Sequence, residues 1–160
     1  MGLPHEVLEL ENRSLGRGGE RTLFRAYELL LAEWRRGSRD REVGLHLMFL
    51  AWYLLCEPAH LTGLDEDVVP TSSLSAMFHE VHEHFLPTIR GDAEALYVVG
   101  LMAHLFPWLL GEVAEVEELA GEYRTLYRGL APQGLSADLF RGRGAYGAYF
   151  AHQSQVVGGF

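Results

Sequence analysis

The sequence predicts an all-helical protein of about six helices, arranged as antiparallel, hairpin-like pairs in a compact bundle or a short array resembling helical repeats. Apolar residues recur with the 3.6-residue period of a helix in five separate segments. No segment alternates apolar and polar residues between turn residues, as a half-buried strand would. Of the 160 residues, 48% are hydrophobic, which is enough for one domain with a substantial core.

The chain divides into one domain with two loose ends. Residues 1–19 are expected to form a flexible N-terminal arm with room for a short helix, because they end in a glycine-rich stretch without clear periodicity. Residues 20–153 are predicted to form the helical domain, and residues 154–160 a frayed tail. The six helices predicted within the domain cover residues 20–36, 40–56, 71–86, 92–106, 111–128 and 136–153.

The first two helices follow from their apolar patterns. The helix at residues 20–36 places apolar side chains from Leu23 to Trp34 at i, i+3, i+4 and i+7, so it is amphipathic. The second helix is apolar nearly all round over residues 45–55, apart from His46, which predicts a central position in the domain. The short turn between the two helices makes them antiparallel neighbours.

The remaining helices are placed mainly by their ends. Thr71 begins the third helix and Pro87 follows its last residue, while Asp92 is the predicted N-cap of the fourth. The fifth helix keeps the 3.6-residue period throughout. Ser136 is the predicted N-cap of the sixth helix, although three glycines within it lower its helical propensity.

The stretch Ala93-Glu94-Ala95-Leu96-Tyr97-Val98-Val99-Gly100 resembles the first helix of a tetratricopeptide repeat. The turn that follows carries Pro107 and Trp108 where that repeat has a tight glycine turn. No second copy lies at the spacing of about 34 residues that such repeats show. Since the resemblance covers one helix only, the sequence assigns the chain to no family.

The charged residues exclude several kinds of chemistry. All 13 basic residues are arginines, so the chain has no lysine for a P-loop, a Schiff base or a lysine general base. Residues 46–123 carry one arginine against 13 acids, a net charge of −12 within a total of −9. That segment repels nucleic acid and anionic lipid, so we expect a basic protein partner and no binding to nucleic acid or membranes.

Several features indicate a cytoplasmic protein. The single cysteine, Cys56, cannot form an internal disulfide, and the first residues lack the basic and apolar regions of a signal peptide. The longest uncharged run, residues 95–111, has 17 residues, whereas a membrane span needs about 20. Cys56 lies at a predicted helix C-terminus beside Glu57, where the local field raises its pKa, so a nucleophilic role is not expected.

Four glutamates on the fifth helix recur at intervals of 3, 3 and 4 residues and form one stripe of carboxylates: Glu112, Glu115, Glu118 and Glu122. Neighbouring like charges destabilise a helix, so the stripe is either a solvated face kept for solubility or a surface for a basic partner. The resulting hypothesis is a non-enzymatic interaction domain that binds a basic or partly unfolded protein. Immunity proteins, toxin antidotes and secretion chaperones are analogies at the level of class.

The alternative hypothesis is a metal-binding protein or metal-dependent enzyme that uses histidines on helices to hold a divalent transition metal. His79, His82 and Glu83 share one face of the third helix, which the apolar pattern predicts to point away from the core. That face is either solvated or binds metal with help from another chain. His46 and His104 each interrupt an apolar helix, so they are either metal ligands that meet in the core or hydrogen-bonded core histidines.

A glycine motif near the C-terminus and the aromatic content bear on cofactors and assembly. Residues 142–147 match Gly-x-Gly-x-x-Gly, but no strand precedes them, so we interpret them as a glycine-loosened helix with exposed Arg141 and Arg143, and no cofactor is predicted. The aromatic residues, Trp52 and Trp108 among them, are numerous enough to form an interface in a homo-oligomer. The sequence therefore leaves enzymatic activity open and favours a non-enzymatic role.

Overall fold

The computed structural model describes residues 2–156 and residue 160. These residues form eight α-helices, two short 3₁₀ turns and no strand, which confirms the all-helical class with more helices than expected. The helices are α1 (His5–Arg13), α2 (Leu23–Arg35), α3 (Arg41–Cys56), α4 (Ala59–Thr62), α5 (Thr71–Ile89), α6 (Ala93–Leu105), α7 (Val113–Leu130) and α8 (Gly144–Gln155). The 3₁₀ turns Pro107–Leu109 and Ala137–Phe140 come before α7 and α8.

One extra helix lies where the sequence left room for a short helix over residues 7–10, and the other lies where a loop was expected. Helix α1 occupies the middle of the segment predicted to be a flexible arm, and its Val7 and Leu10 are buried in the core. Burial of these two side chains stabilises the helix, although it is too short to persist alone in water. Helix α4 is a single turn within the loop between α3 and α5.

The predicted sixth helix is divided in two. The chain forms the 3₁₀ turn Ala137–Phe140, then turns, and α8 begins at Gly144. Gly142 and Gly144 have φ angles of +74° and +67°, a conformation that interrupts a right-handed helix. The other five predicted helices match α2, α3, α5, α6 and α7. The expected cap Asp92 accepts a backbone N–H group of α6, and Asp40 does the same for α3.

Helices α3 and α6 are buried along most of their length and form the centre of the domain. Helix α7 packs along α6, whereas α2 and α5 pack along α3, and α1 joins α2 to α8. Phe160 is also buried, and its backbone carbonyl accepts a hydrogen bond of 3.1 Å from Arg128. The predicted frayed tail therefore includes a packed residue, while residues 157–159 lie outside the described part of the chain.

Candidate functional site

The carboxylate stripe of α7 faces solvent. Glu112 caps the helix by accepting the backbone N–H of Glu115 at 3.0 Å, and Glu122 pairs with Arg90 of α5. Glu115, Glu118 and the neighbouring Glu117 are exposed, and none of the three forms an ion pair within the described residues. The stripe thus includes carboxylates whose charge is not neutralised by the chain itself.

An exposed aromatic side chain lies immediately before the stripe in sequence. Trp108, in the turn between α6 and α7, is 62% exposed and packs only partly on Phe106, with ring centroids 5.6 Å apart. Val113, the first residue of α7, is also among the exposed large apolar side chains. Apolar surface of this kind beside carboxylates is a common composition of protein interfaces, in which tryptophan is enriched.

The histidines of α5 attach that helix to α7 and to the turn before it. A ring nitrogen of His79 is hydrogen-bonded to the backbone carbonyl of Leu110, and His82 Nε2 lies 2.6 Å from the hydroxyl of Tyr123 on α7. Burial, reinforced by the nearby His79, lowers the pKa of His82 to about 4, so its ring is neutral at pH 7. Hence the face expected to point to solvent does so in part: His82 is half-buried against α7, whereas His79 and Glu83 are exposed.

The other two candidate ligands, His46 and His104, differ in their exposure to solvent. His46 is completely buried, whereas His104 is exposed and lies beside Phe160, with ring centroids 5.7 Å apart. The structure therefore does not bring them together in the core. Within residues 2–156 and residue 160, no group of three or more His, Cys, Asp or Glu side chains is placed to hold a metal ion.

The polar centre of the domain is instead a buried carboxylate on α1. Both Glu11 and His46 are fully buried, and His46 Nδ1 donates a hydrogen bond of 2.7 Å to one Glu11 oxygen. The other oxygen accepts the backbone N–H of Tyr146 at 3.0 Å, in the first turn of α8. His46 Nε2 lies 3.4 Å from Glu42, an ion-pair distance without the geometry of a hydrogen bond.

These contacts fix the charge of His46. Burial alone lowers a histidine pKa, but the negative charges of Glu11 and Glu42 outweigh it and raise the pKa of His46 to about 9. The pKa of Glu42 falls to about 2, because its burial is outweighed by the nearby positive charge of His46 and by hydrogen bonds and charge from Arg143. At pH 7, therefore, His46 is an imidazolium held between two carboxylates.

The Gly-x-Gly-x-x-Gly stretch makes room for this arrangement. A Cβ atom on Gly144 would lie 2.8 Å from a carboxylate oxygen of Glu11, and one on Gly147 would lie 2.1 Å from the carbonyl oxygen of Phe140. Helix α8 therefore begins close enough to α1 for its N-terminal N–H groups to bind the Glu11 carboxylate. The anion at this helix N-terminus is supplied by the chain itself, which explains the motif without a nucleotide.

A second set of ion pairs extends from the same centre. Arg143, which we expected to be exposed, is only 17% exposed and pairs with Glu42 of α3 and, at 2.7 Å, with Glu94 of α6. The Tyr146 hydroxyl donates to the same Glu94 oxygen at 2.7 Å. Arg41 also contacts Glu94, at 3.1 Å. These groups join α3, α6 and α8 through charge-assisted hydrogen bonds.

The buried network is suited to holding helices together rather than to acid–base chemistry. Glu11, His46 and Tyr146 are inaccessible to solvent, so no substrate reaches them in this conformation. Cys56 is equally unsuited to nucleophilic attack, because burial and the charge of Glu57 raise the pKa of its thiol to about 12. The direction of this pKa shift is the one expected for a cysteine beside Glu57. A hydrogen-bonded core histidine was one of the two roles expected of His46, whereas its contact with Glu11 was not expected from the sequence.

Comparison of the chain with protein-family models, with curated proteins and with solved structures finds no match. None of the described helices is long and apolar enough to cross a membrane. An assignment of function to this chain therefore depends on its side chains alone. Of the surfaces that the sequence indicated, the exposed carboxylates of α7 remain available to a partner.

Proposed function

We propose that the chain is a non-enzymatic protein-interaction domain that uses the exposed carboxylates of α7 to bind a basic or partly unfolded protein. The observation that supports this proposal is the set of exposed glutamates, Glu115, Glu117 and Glu118, which have no cationic partner in the described part of the chain. A cationic partner would relieve their mutual repulsion. The single cysteine is consistent with a protein of the reducing cytoplasm.

The composition of the neighbouring surface supports the same proposal. Exposed Trp108 and Val113 lie at the beginning of α7, next to Glu112 in sequence. An aromatic anchor contributes affinity by burial, while surrounding charges contribute the rate and the selectivity of association. The expected ligand is therefore a basic segment that also offers an apolar side chain to Trp108.

The test titrates the protein with a disordered arginine-rich peptide that contains one tyrosine, and isothermal titration calorimetry measures the binding. We expect the affinity to fall as salt is raised from about 0.05 to 0.5 M, because exposed charges are screened beyond a few ångströms. The double substitution Glu115→Lys and Glu118→Lys replaces two attractions with two repulsions. It is expected to weaken binding about tenfold or more.

A matched control separates the α7 surface from the overall charge of the protein. Glu66→Lys with Asp67→Lys makes the same change in net charge in the exposed loop between α4 and α5. This pair is expected to change the affinity less than about threefold. Equal weakening by both pairs, or binding that salt leaves unchanged, would show that α7 is not the binding surface.

The metal-binding alternative requires free ring nitrogens on the α5 histidines. His79 and His82 each use one ring nitrogen to hold Leu110 or Tyr123, so a metal site here would use the other nitrogen or break these bonds. Native mass spectrometry of the untagged protein measures bound metal and oligomeric state together. A stoichiometric transition-metal adduct lost on His79→Ala would favour this alternative over the interaction domain.

A further inference from the structure

A cleft of about 530 Å³ opens on the side of the domain formed by α3, α4, α8 and the loop between α1 and α2. Helix α7 contributes nothing to its lining, so the cleft is separate from the carboxylate surface described above. Its volume lies in the range of about 300–1,000 Å³ that small-molecule sites in proteins occupy.

Aromatic rings form one wall of the cleft. The half-buried Tyr53 and Tyr149 have ring centroids 6.0 Å apart, and the fully buried Phe49 packs against both, at 5.3 and 5.6 Å. Two of the exposed leucines of the protein, Leu15 and Leu61, also line the cleft, although nothing in the fold covers them. The lining therefore offers a ligand apolar contact that the chain leaves unused.

The charge of the lining has one sign. Glu57 and Glu20 are the charged residues among the groups that line the cleft. Glu20 is paired with Arg13, whereas the half-buried carboxylate of Glu57 forms no ion pair within the described residues. No arginine or histidine of the described residues faces the cleft to neutralise Glu57. A cation placed over the face of an aromatic ring is attracted to it, and Tyr53 and Tyr149 supply such rings at this cleft.

From this combination we propose that the cleft binds a small organic cation, in which an ammonium or guanidinium group is attached to an apolar body. The cationic group would lie between the Glu57 carboxylate and the aromatic wall, and the apolar body would contact Leu15 and Leu61. A neutral or anionic ligand of the same size would gain the apolar contacts without the charge pairing. Binding at this cleft is independent of the function proposed for α7.

The test uses three probes of similar size and different charge: phenethylammonium, 2-phenylethanol and 3-phenylpropionate. Binding is followed by calorimetry and by chemical-shift changes of the Tyr53 and Tyr149 rings in NMR spectra. We expect phenethylammonium to bind with a Kd of about 1 mM or tighter, the alcohol at least fivefold more weakly, and the anion not measurably. Equal binding of all three probes would overturn the proposal.

Two substitutions locate the site. Glu57→Gln keeps the shape of the side chain and is expected to weaken phenethylammonium binding at least fivefold, whereas the matched control Glu117→Gln on α7 leaves it unchanged. Ala148→Trp places a large side chain into the cleft from an exposed position of α8 and is expected to abolish binding. Unchanged affinity in Glu57→Gln or Ala148→Trp would contradict the proposal, and so would the absence of any binding by phenethylammonium.

Discussion

Glu11 illustrates how a single buried charge determines the local architecture. An isolated carboxylate inside a protein is strongly destabilising, so each of its oxygens needs a partner. His46 serves one oxygen with an opposite charge, and the backbone N–H of Tyr146 serves the other. Removal of one partner leaves an uncompensated charge, which costs more than the intact pair contributes. The positions that maintain these two contacts are therefore the most sensitive residues of the domain.

Gly144 is such a position, and Gly142 provides a control for it. Both have positive φ angles, but a Cβ at Gly142 meets nothing within 4 Å, whereas one at Gly144 contacts Glu11. We expect Gly142→Ala to lower the free energy of unfolding by about 1 kcal/mol, from backbone strain alone. Gly144→Ala adds the loss of a hydrogen bond to a charged group, for a total of about 3 kcal/mol. Urea denaturation of both variants measures the difference, and equal losses would show that the Glu11 contact is unimportant.

Among the elements, α8 is the one whose position depends most on close backbone approach. Its first turn is held by Glu11 of α1, by Glu42 of α3 and by Glu94 of α6, so it joins helices that are distant in sequence. The 3₁₀ turn Ala137–Phe140 packs against it, and Gly147 permits this contact. The glycines of α8 are thus required by neighbouring elements, although they weaken the helix itself.

Replacement of a glycine by alanine should destabilise the protein in α8 and stabilise it in α7. A Cβ at Gly147 would lie 2.1 Å from the Phe140 carbonyl oxygen, so Gly147→Ala should displace α8 and destabilise the protein by about 3 kcal/mol. A Cβ at Gly121, on the exposed face of α7, would meet nothing within 4 Å, so Gly121→Ala should stabilise by about 0.5–1 kcal/mol. Thermal unfolding of the two variants tests this, and a shift of the same sign in both would refute the explanation.

How far the sequence predicts these elements depends on which interactions determine them. Local periodicity and caps predict α2, α3, α6 and α7 to within a few residues, since Asp92, for example, caps α6 as expected. Local pattern left room for a short helix in the N-terminal arm but did not predict that α1 is packed, because that packing depends on the burial of Val7 in the core. Pro87 was expected to end α5, but the helix continues to Ile89, although a proline there offers no N–H to the carbonyl of Glu83.

Site prediction fails where the partner of a residue is far away in sequence. Arg143 was expected to be exposed because its glycine neighbours resemble a loosened helix, whereas its partners Glu42 and Glu94 lie on other helices. The α5 histidines were assigned to one solvated face, and His79 is exposed, but a helical wheel does not show that α7 half-buries His82. The α7 stripe is easier to predict, since exposure of a charged face follows from local periodicity alone.

At the scale of the whole molecule, the buried carboxylates are paired with cations and most of the unpaired carboxylates lie at the surface. Arg41 and Arg143, from the segments richer in arginine, neutralise Glu42 and Glu94 within the fold. Most of the other acids of residues 46–123, including those of α7, lie at the surface. The fold thereby uses two arginines for carboxylates that are partly or almost fully buried, while His46 serves the fully buried Glu11, and a negatively charged exterior results.

This arrangement also determines how stability depends on pH. His46 faces Glu11 of α1, Glu42 of its own helix and the ring of Tyr146 from α8. Its pKa rises from 6.5 to about 9 on folding, so its contribution is complete below pH 6.5 and is lost as the pH rises through 9. The pKa of Glu42 falls from 4.5 to about 2, so that contribution is lost as the pH falls through this range. His82, whose pKa falls to about 4, also opposes folding in acid, so the three groups together place maximal stability near pH 6.5.

The prediction is a fall in the free energy of unfolding between pH 6.5 and 9, with a slope approaching about 1.4 kcal/mol per pH unit because the folded state retains one proton more than the unfolded state. His46→Gln should remove this slope while it lowers stability at pH 6.5. His60→Gln is the matched control, since His60 is exposed and its replacement should leave the slope intact. Urea denaturation at several pH values gives both quantities. If the His46→Gln slope equals that of the unmodified protein, the proton is not held by His46, and the ion pair between α1 and α3 is not what couples folding to pH.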